Sequence, residues 1–257
     1  MSDDIAEPLS FSVLTVNTHK GFSAFNRRFM LPELRDAVRD IGVDVVFLQE
    51  VLGNHERHSE RYANWPAASQ YEFLADSIWS AYAYGRNAVY PHGHHGNAIL
   101  SKYPILHYEN HDVSLGSKHE RRGLLHCVLD LPHLRRQAHA ICVHLGLREK
   151  DRREQLHELA ALIKREVPDD APLVVAGDFN DWRMKGHPLL AHISGMHEVF
   201  DLAHGRPART FPARKPILPL DRIYVRNVKA KSARVLSHRP WSHLSDHAAL
   251  MTEVRLR

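Results

Sequence analysis

Leu173-Val-Val-Ala-Gly-Asp-Phe-Asn180 begins with four apolar residues and, after a glycine, brings a carboxylate and an amide two positions apart. A short apolar run of this kind reads as a strand buried on both faces, and polar residues at its end read as the rim of a sheet. The same arrangement recurs along the chain. Val43–Leu48 leads to Gln49 and Glu50, Phe11–Val16 to Asn17, and Gln137–His144 closes on His144. Asp221–Val225 opens on Asp221, Ala248–Val254 follows Asp246-His247, and Arg121–Leu131 reads as a further strand. Between them lie helical stripes. Leu31, Leu34, Ala37, Val38 and Ile41 share one face of Leu31–Ile41, and Leu156, Leu159, Ala160, Ile163 and Val167 share one face of Asp151–Val167, which Pro168 ends. Strands mixed with helices, some strands following one another directly, predict helices packed outside sheets in one two-layer α/β domain.

Composition bounds the function. The chain has 257 residues, 44% hydrophobic and 25% charged, which excludes wholesale disorder and allows one large domain over 1–257 with its core about 11–255. No apolar run approaches the ~18 residues of a membrane span. Met1–Pro8 is acidic and lacks a basic-then-apolar leader. Cys127 and Cys142 form no paired motif, so the expectation is a reduced, cytoplasmic, monomeric protein. A net charge of +4 is compatible with a polyanionic substrate.

The rim residues are of few types: Asn17, Glu50, His144, Asp178, Asn180, Asp221, Asp246 and His247. Taken singly they read as turn and cap residues, a surface ion pair or a satisfied buried histidine. Together they suit one task. Oxygen donors fit a hard divalent cation, which takes one or two carboxylates and leaves room for water and phosphate oxygens. Histidines beside such an ion suit proton transfer or phosphate contact. The sum predicts metal-assisted phosphoester hydrolysis. No Gly-x-Ser-x-Gly elbow or reactive cysteine motif competes, which favours direct attack by water.

Seven motifs carry a resemblance: Thr15-Val-Asn-Thr18, Leu48-Gln-Glu50, Gly96-Asn-Ala-Ile-Leu-Ser101, Val143-His-Leu145, Gly177-Asp-Phe-Asn180, Leu220-Asp-Arg-Ile223 and Ser245-Asp-His247. In that order the chain resembles the endonuclease/exonuclease/phosphatase superfamily from about Leu14 to Leu250. The resemblance implies a four-layered α/β sandwich, two mixed β-sheets packed face to face with helices outside. It implies Mg²⁺ (or Mn²⁺) at Glu50, with Asn17 and Asp246 completing the metal side. Asp178 would orient and deprotonate the attacking water, Asn180 would hold Asp178 and a phosphate oxygen, and Asp221 would orient His247 at the phosphate. His144 matches the second histidine of the deoxyribonuclease and sphingomyelinase branches and points away from abasic-site endonucleases. The glutamate that partners this histidine in the deoxyribonuclease has no evident equivalent in Gly85–His92.

Substrate contacts are expected from Arg121, Arg122, Arg148 and the loop Arg206–Lys215, with Arg209 and Arg214, and from Trp182 and Trp241 near two of the motifs. Each also has an ordinary reading as a solvated arginine or packing tryptophan. Pro91-His-Gly-His-His95 lacks the spacing of a closed zinc site. The expected activity is a nuclease on DNA or RNA, with single strands preferred because basic loops and aromatics suit unpaired bases. A phospholipid or small-molecule phosphodiesterase or phosphatase, and a non-catalytic binding module, are the alternatives.

Overall fold

The computed structural model describes residues 10–256 apart from 77, 117–118 and 133–135; the Met1–Pro8 reading lies outside the described residues. The strands are β1 (Ser10–Asn17), β2 (Val45–His55), β3 (Ala81–Tyr90), β4 (Gly93–Ser101), β5 (Ile105–Asp112), β6 (Gly123–Leu131), β7 (Arg136–His144), β8 (Leu173–Asp178), β9 (His197–Glu198), β10 (Asp221–Arg226), β11 (Val228–Leu236) and β12 (Ala249–Leu256). The helices are α1 (Leu31–Ile41), α2 (Glu56–Arg61), α3 (Gln70–Ala75), α4 (Glu149–Glu166), α5 (His187–Ser194) and α6 (Val199–His204). Two six-stranded sheets form, in the orders β11-β12-β1-β2-β4-β3 and β5-β6-β7-β8-β10-β9. Each is mixed, with one parallel pair at its centre, β1 with β2 and β7 with β8. A parallel pair needs a crossover, which α1 and α4 supply.

Alternation along the strands decides the layering. Phe11, Val13, Val45 and Phe47 from the first sheet meet Leu125, Cys127, Ala140 and Val174 from the second in a central core. The intervening residues face outward: Leu14, Val16, Val46 and Leu48 pack against Leu31, Leu34 and Val38 of α1 and Leu74 of α3. Ile141, Val143 and Val175 pack against Leu156, Leu159 and Ile163 of α4. Strands apolar on both sides therefore give four layers, where strand–helix alternation alone suggested two. The helix ends have local causes. Pro32 fits the first turn of α1, and Gly42, at φ 61°, closes it with its N–H on Val38 O. Ser69 and Glu72 make a reciprocal capping box on α3.

β2 is longer than the Val43–Leu48 run. Its register with β4 shifts between Leu48 and Val51, and Glu50 sits at φ 54° within that bulge. A bulge re-aims the side chains that follow it, so the strand continues while Glu50 leaves the apolar alternation.

Candidate active site

Strand ends of both sheets meet at one rim. Asp178 ends β8 and is the cross-strand partner of His144 on β7 and of Asp221 on β10. Across the seam between the sheets, Asn17 Nδ2 donates to Asp178 Oδ2 at 3.2 Å. The other Asp178 oxygen accepts the backbone N–H of Asn180 at 2.9 Å. Gly177 permits this packing: at φ 145° it sits so close to β7 that a Cβ would lie 2.0 Å from Val143 O.

His247 reaches the cluster from the loop before β12. Its Nδ1 lies 2.8 Å from Asp221 Oδ2, and the Asp221 backbone N–H donates to Thr210 Oγ1 at 3.2 Å. Ser245 Oγ donates to Asn17 O at 2.6 Å, tying that loop to β1. His144 Nε2 is 3.6 Å from Asp178 Oδ2. Asp178, Asp221 and His247 each offer a ligand atom, all within 4.8 Å of one another. All of Asn17, His144, Asp178, Asn180, Asp221 and His247 are buried.

Burial sets the charges. It opposes a charged His247, but Asp221 and Asp178 outweigh it and raise the imidazole pKa to about 10. Burial raises the Asp178 pKa, the cation His247 works against that, and Asp221 adds to it. Burial and Arg122 drive the His144 pKa down to about 3, so this ring is neutral. Burial also disfavours the Glu50 carboxylate, yet His144, Lys20 and His19 hold its pKa down to about 2. Because His144 is neutral, Lys20 and His19 are the cations that keep Glu50 ionised.

Glu50 and Asp246 occupy the adjoining part of the rim. Lys20 Nζ is 3.2 Å from Glu50 Oε2, and His19 Nδ1 is 3.1 Å from Asp246 Oδ2. The Asn17 amide oxygen accepts the His19 backbone N–H at 3.0 Å. Asn180 divides its roles: the backbone N–H holds Asp178, and Nδ2 donates to Leu145 O at 3.0 Å.

The substrate-contact residues are dispersed. Arg214 lines a hollow together with Ser245 and Asp246, and Arg121 lines another with Lys20, Arg86 and His95. Arg209 lines a separate hollow with Phe200, His204 and Arg206, residues outside the cluster. Arg122 is buried and pairs with Glu120 at 2.9 Å. Trp182 is 39% exposed, with the Arg152 guanidinium 4.7 Å from its ring centroid. Trp241 is buried over the outer face of the first sheet, so its ring faces the core and not the rim.

Sequence reasoning passed over several residues that the fold brings to the rim. His19 and Lys20 directly follow Thr15-Val-Asn-Thr18 and were legible by adjacency. Glu120 was not: it sits in the loop before β6, bonds His95 Nε2 at 2.5 Å and contributes to the field on His144. Phe25 lies in the hollow beside Asp246, 83% exposed, with Arg27 over its ring at 5.3 Å.

Residues 14–247 match the model of the Endonuclease/Exonuclease/phosphatase family. The chain belongs to that family. It is thus a member of a superfamily of divalent-metal-dependent phosphoesterases. It is 58% identical over 254 residues to the uncharacterized protein YbhP of Escherichia coli strain K12, covering 98% of this chain and 99% of that one. Among solved structures, TDP2 of D. rerio complexed with single strand DNA product superposes with a TM-score of 0.72 at 19% identity, over 96% of this chain and 99% of that one. The mannosyl-6-phosphatase of Bacteroides thetaiotaomicron does so with a TM-score of 0.73 at 15% identity, over 95% and 99%. No helix of the described residues is long and apolar enough to cross a membrane.

Proposed function

We propose that this chain is a single-domain, monomeric phosphodiester hydrolase that cuts single-stranded nucleic acid, DNA or RNA, in a reducing cytoplasmic compartment. The observation that carries the reading is the continuity between the buried acid–base cluster and an open cationic hollow. Ser245 and Asp246 border both, and Phe25, Arg27, Arg28 and Arg214 line the hollow. Guanidinium groups take backbone phosphates, and an exposed ring takes an unpaired base. A single strand presents both along one path.

Glu50, Asp246 and Asn17 would hold Mg²⁺ or Mn²⁺. Their oxygen donors suit a hard cation, and Lys20 and His19 already lie against the two carboxylates. The ion supplies neutralising charge at the phosphoryl oxygens. Asp178, fixed by Asn17 and Asn180, takes the proton of the attacking water. His247, kept protonated by Asp221, stabilises the phosphoryl oxygens and protonates the leaving alkoxide. Neutral His144 contacts a non-bridging oxygen. Neither Ser245 nor Cys142 is set up as a nucleophile: Ser245 spends its hydroxyl proton on Asn17 O, and burial pushes the Cys142 thiol up to about 12.

The test is a substrate panel with Mg²⁺ or Mn²⁺: single- and double-stranded DNA, RNA, phospholipid vesicles and small phosphomonoesters. Single strands should be cut fastest. Phe25→Ala should raise KM for single strands by about one stacked base, roughly 1–3 kcal/mol, while turnover of a small chromogenic diester stays unchanged. Hydrolysis of phospholipids or phosphomonoesters with every nucleic acid left intact would replace this reading with the lipid or small-phosphoester alternative.

A further inference from the structure

The outer face of the second sheet carries another concentration of imidazoles, at the far end of α4 from the rim. His126 on β6 and His139 on β7 occupy buried positions on this face, beyond the apolar layer formed by Leu124, Ile141 and Val143 under α4. His111 comes from the edge strand β5, and Glu166 is the last residue of α4. Their donor atoms converge. His126 Nδ1 is 3.4 Å from Glu166 Oε2, His111 Nε2 is 3.7 Å from the same oxygen, and all three atoms lie within 4.8 Å of one another.

The geometry points to a Zn²⁺ site formed by His111 Nε2, His126 Nδ1 and Glu166 Oε2, separate from the hydrolytic centre. Tetrahedral zinc with bonds of about 2.0–2.1 Å places neighbouring ligand atoms roughly 3.3 Å apart, close to the 3.4 and 3.7 Å that separate the two imidazoles from Glu166 Oε2. Three further observations support it. His111 Nε2 is buried without a hydrogen-bond partner among the described residues. Glu166 is already oriented, because Arg165 Nε and Nη2 occupy Oε1 at 3.1 and 2.8 Å and leave Oε2 to the histidines. His126 Nε2 lies 2.8 Å from His139 Nδ1 with the rings stacked.

That last contact can place its shared proton on either ring, and the two tautomers differ at His126 Nδ1. One proton serves the bond between the two rings. When His126 Nε2 donates it, His126 Nδ1 presents a bare lone pair toward a carboxylate oxygen. Two such groups repel unless a cation lies between them. His139 is then the outer hydrogen-bond partner that holds a metal-binding histidine in orientation. Two imidazoles and one carboxylate suit Zn²⁺ better than Mg²⁺. The site would staple β5, an otherwise exposed edge strand, to β6 and to the end of α4. The site lies on the outer face of the sheet: His126 is the cross-strand partner of Ile141, three residues or about 10 Å along β7 from His144, whose alternation with the outward Val143 turns it to the opposite face, so the bound ion takes no part in hydrolysis.

Chelator-stripped wild type, His111→Ala, Glu166→Gln and Glu50→Gln are each dialysed against radiolabelled Zn²⁺ with Mg²⁺ in excess. Far-UV circular dichroism checks that each variant is folded. Wild type and Glu50→Gln should retain one Zn²⁺ per chain that Mg²⁺ does not displace. His111→Ala and Glu166→Gln should bind that ion more than about tenfold more weakly while keeping Mg²⁺-dependent hydrolysis. Co²⁺ at the site should give tetrahedral visible bands that the same two variants lose. Equal Zn²⁺ affinity in wild type, His111→Ala and Glu166→Gln overturns the proposal. So does wild-type uptake that disappears entirely in Glu50→Gln, a result that needs no change at the new site.

Discussion

Replacing Asp221 by Asn removes one charge from the buried pair with His247 while keeping its shape. In the native protein Nδ1 and Oδ2 are 2.8 Å apart. Unit charges centred about 4 Å apart, at an effective dielectric near 20, interact by about 4 kcal/mol, or about 3 pKa units. The His247 pKa, raised to about 10, should therefore fall toward about 7 in Asp221→Asn. The sign follows: wild type keeps the imidazolium until the pH passes its raised pKa, whereas the variant loses it as the pH rises past neutrality. The assay is kcat/KM for a chromogenic phosphodiester from about pH 6 to about pH 10, with the same divalent ion in both proteins so that its field cancels in the difference. The alkaline limb should move by about 3 units toward acid, so that activity at pH ~9 drops by about 10²-fold, and the double-variant comparison is made at that pH. His247→Ala in the Asp221→Asn background should cost little more, because the pair acts as a unit. Superimposed alkaline limbs, or losses that simply multiply, would refute the reasoning.

Glu50→Gln should weaken Mn²⁺ binding, followed by titration calorimetry, by more than about tenfold with the fold preserved; unchanged affinity would remove Glu50 from the metal set. Gly177→Ala brings a Cβ against Val143 O at a φ that only glycine adopts comfortably, so urea unfolding should show a loss of at least about 3 kcal/mol. A loss under about 1 kcal/mol would contradict that packing. Burial raises the Glu198 pKa to about 7 from 4.5, so native stability is lost as pH rises through that interval. Glu198→Gln should match wild type at low pH and exceed it by about 3 kcal/mol above pH ~8; denaturant midpoints that differ equally at both pH values would count against it.

Much of this architecture was written in strand-end chemistry. Asn17, His144, Asp178 and Asp221 follow or open runs apolar enough to be buried on both faces, and the fold brings those ends to one rim. Edge strands were not legible. β5, Ile-Leu-His-Tyr-Glu-Asn-His-Asp, is mostly polar, and β11 interleaves lysine, serine and arginine, because an edge that faces water needs no apolar run. The bulge at Glu50 was equally hidden, since its cause lies in pairing with β4 and not in the residue itself. Nearness in sequence misled for aromatics. Trp241 is five residues from Asp246 yet faces the core, whereas Phe25, far along the chain, stands in the hollow beside it. Motif distance says nothing about where a side chain points.

The residues of the candidate site come from both sheets, and this has a consequence for the order of assembly. The strands of the first sheet, residues 10–101 and 228–256, flank in sequence those of the second, residues 105–226. The Asn17–Asp178 hydrogen bond spans 161 residues and the Ser245–Asn17 bond 228. Contacts of such range form slowly, after local pairings have closed the intervening chain. The second sheet, contiguous in sequence, can acquire its strands and helix before the candidate site exists, whereas the first closes only when β12 pairs with β1. A fragment holding 105–226 would carry His144, Asp178 and Asp221 but neither Asn17, Glu50 nor His247. Recovery of the candidate site after denaturation therefore reports one late event, the return of β12 to β1 alongside the finished second sheet.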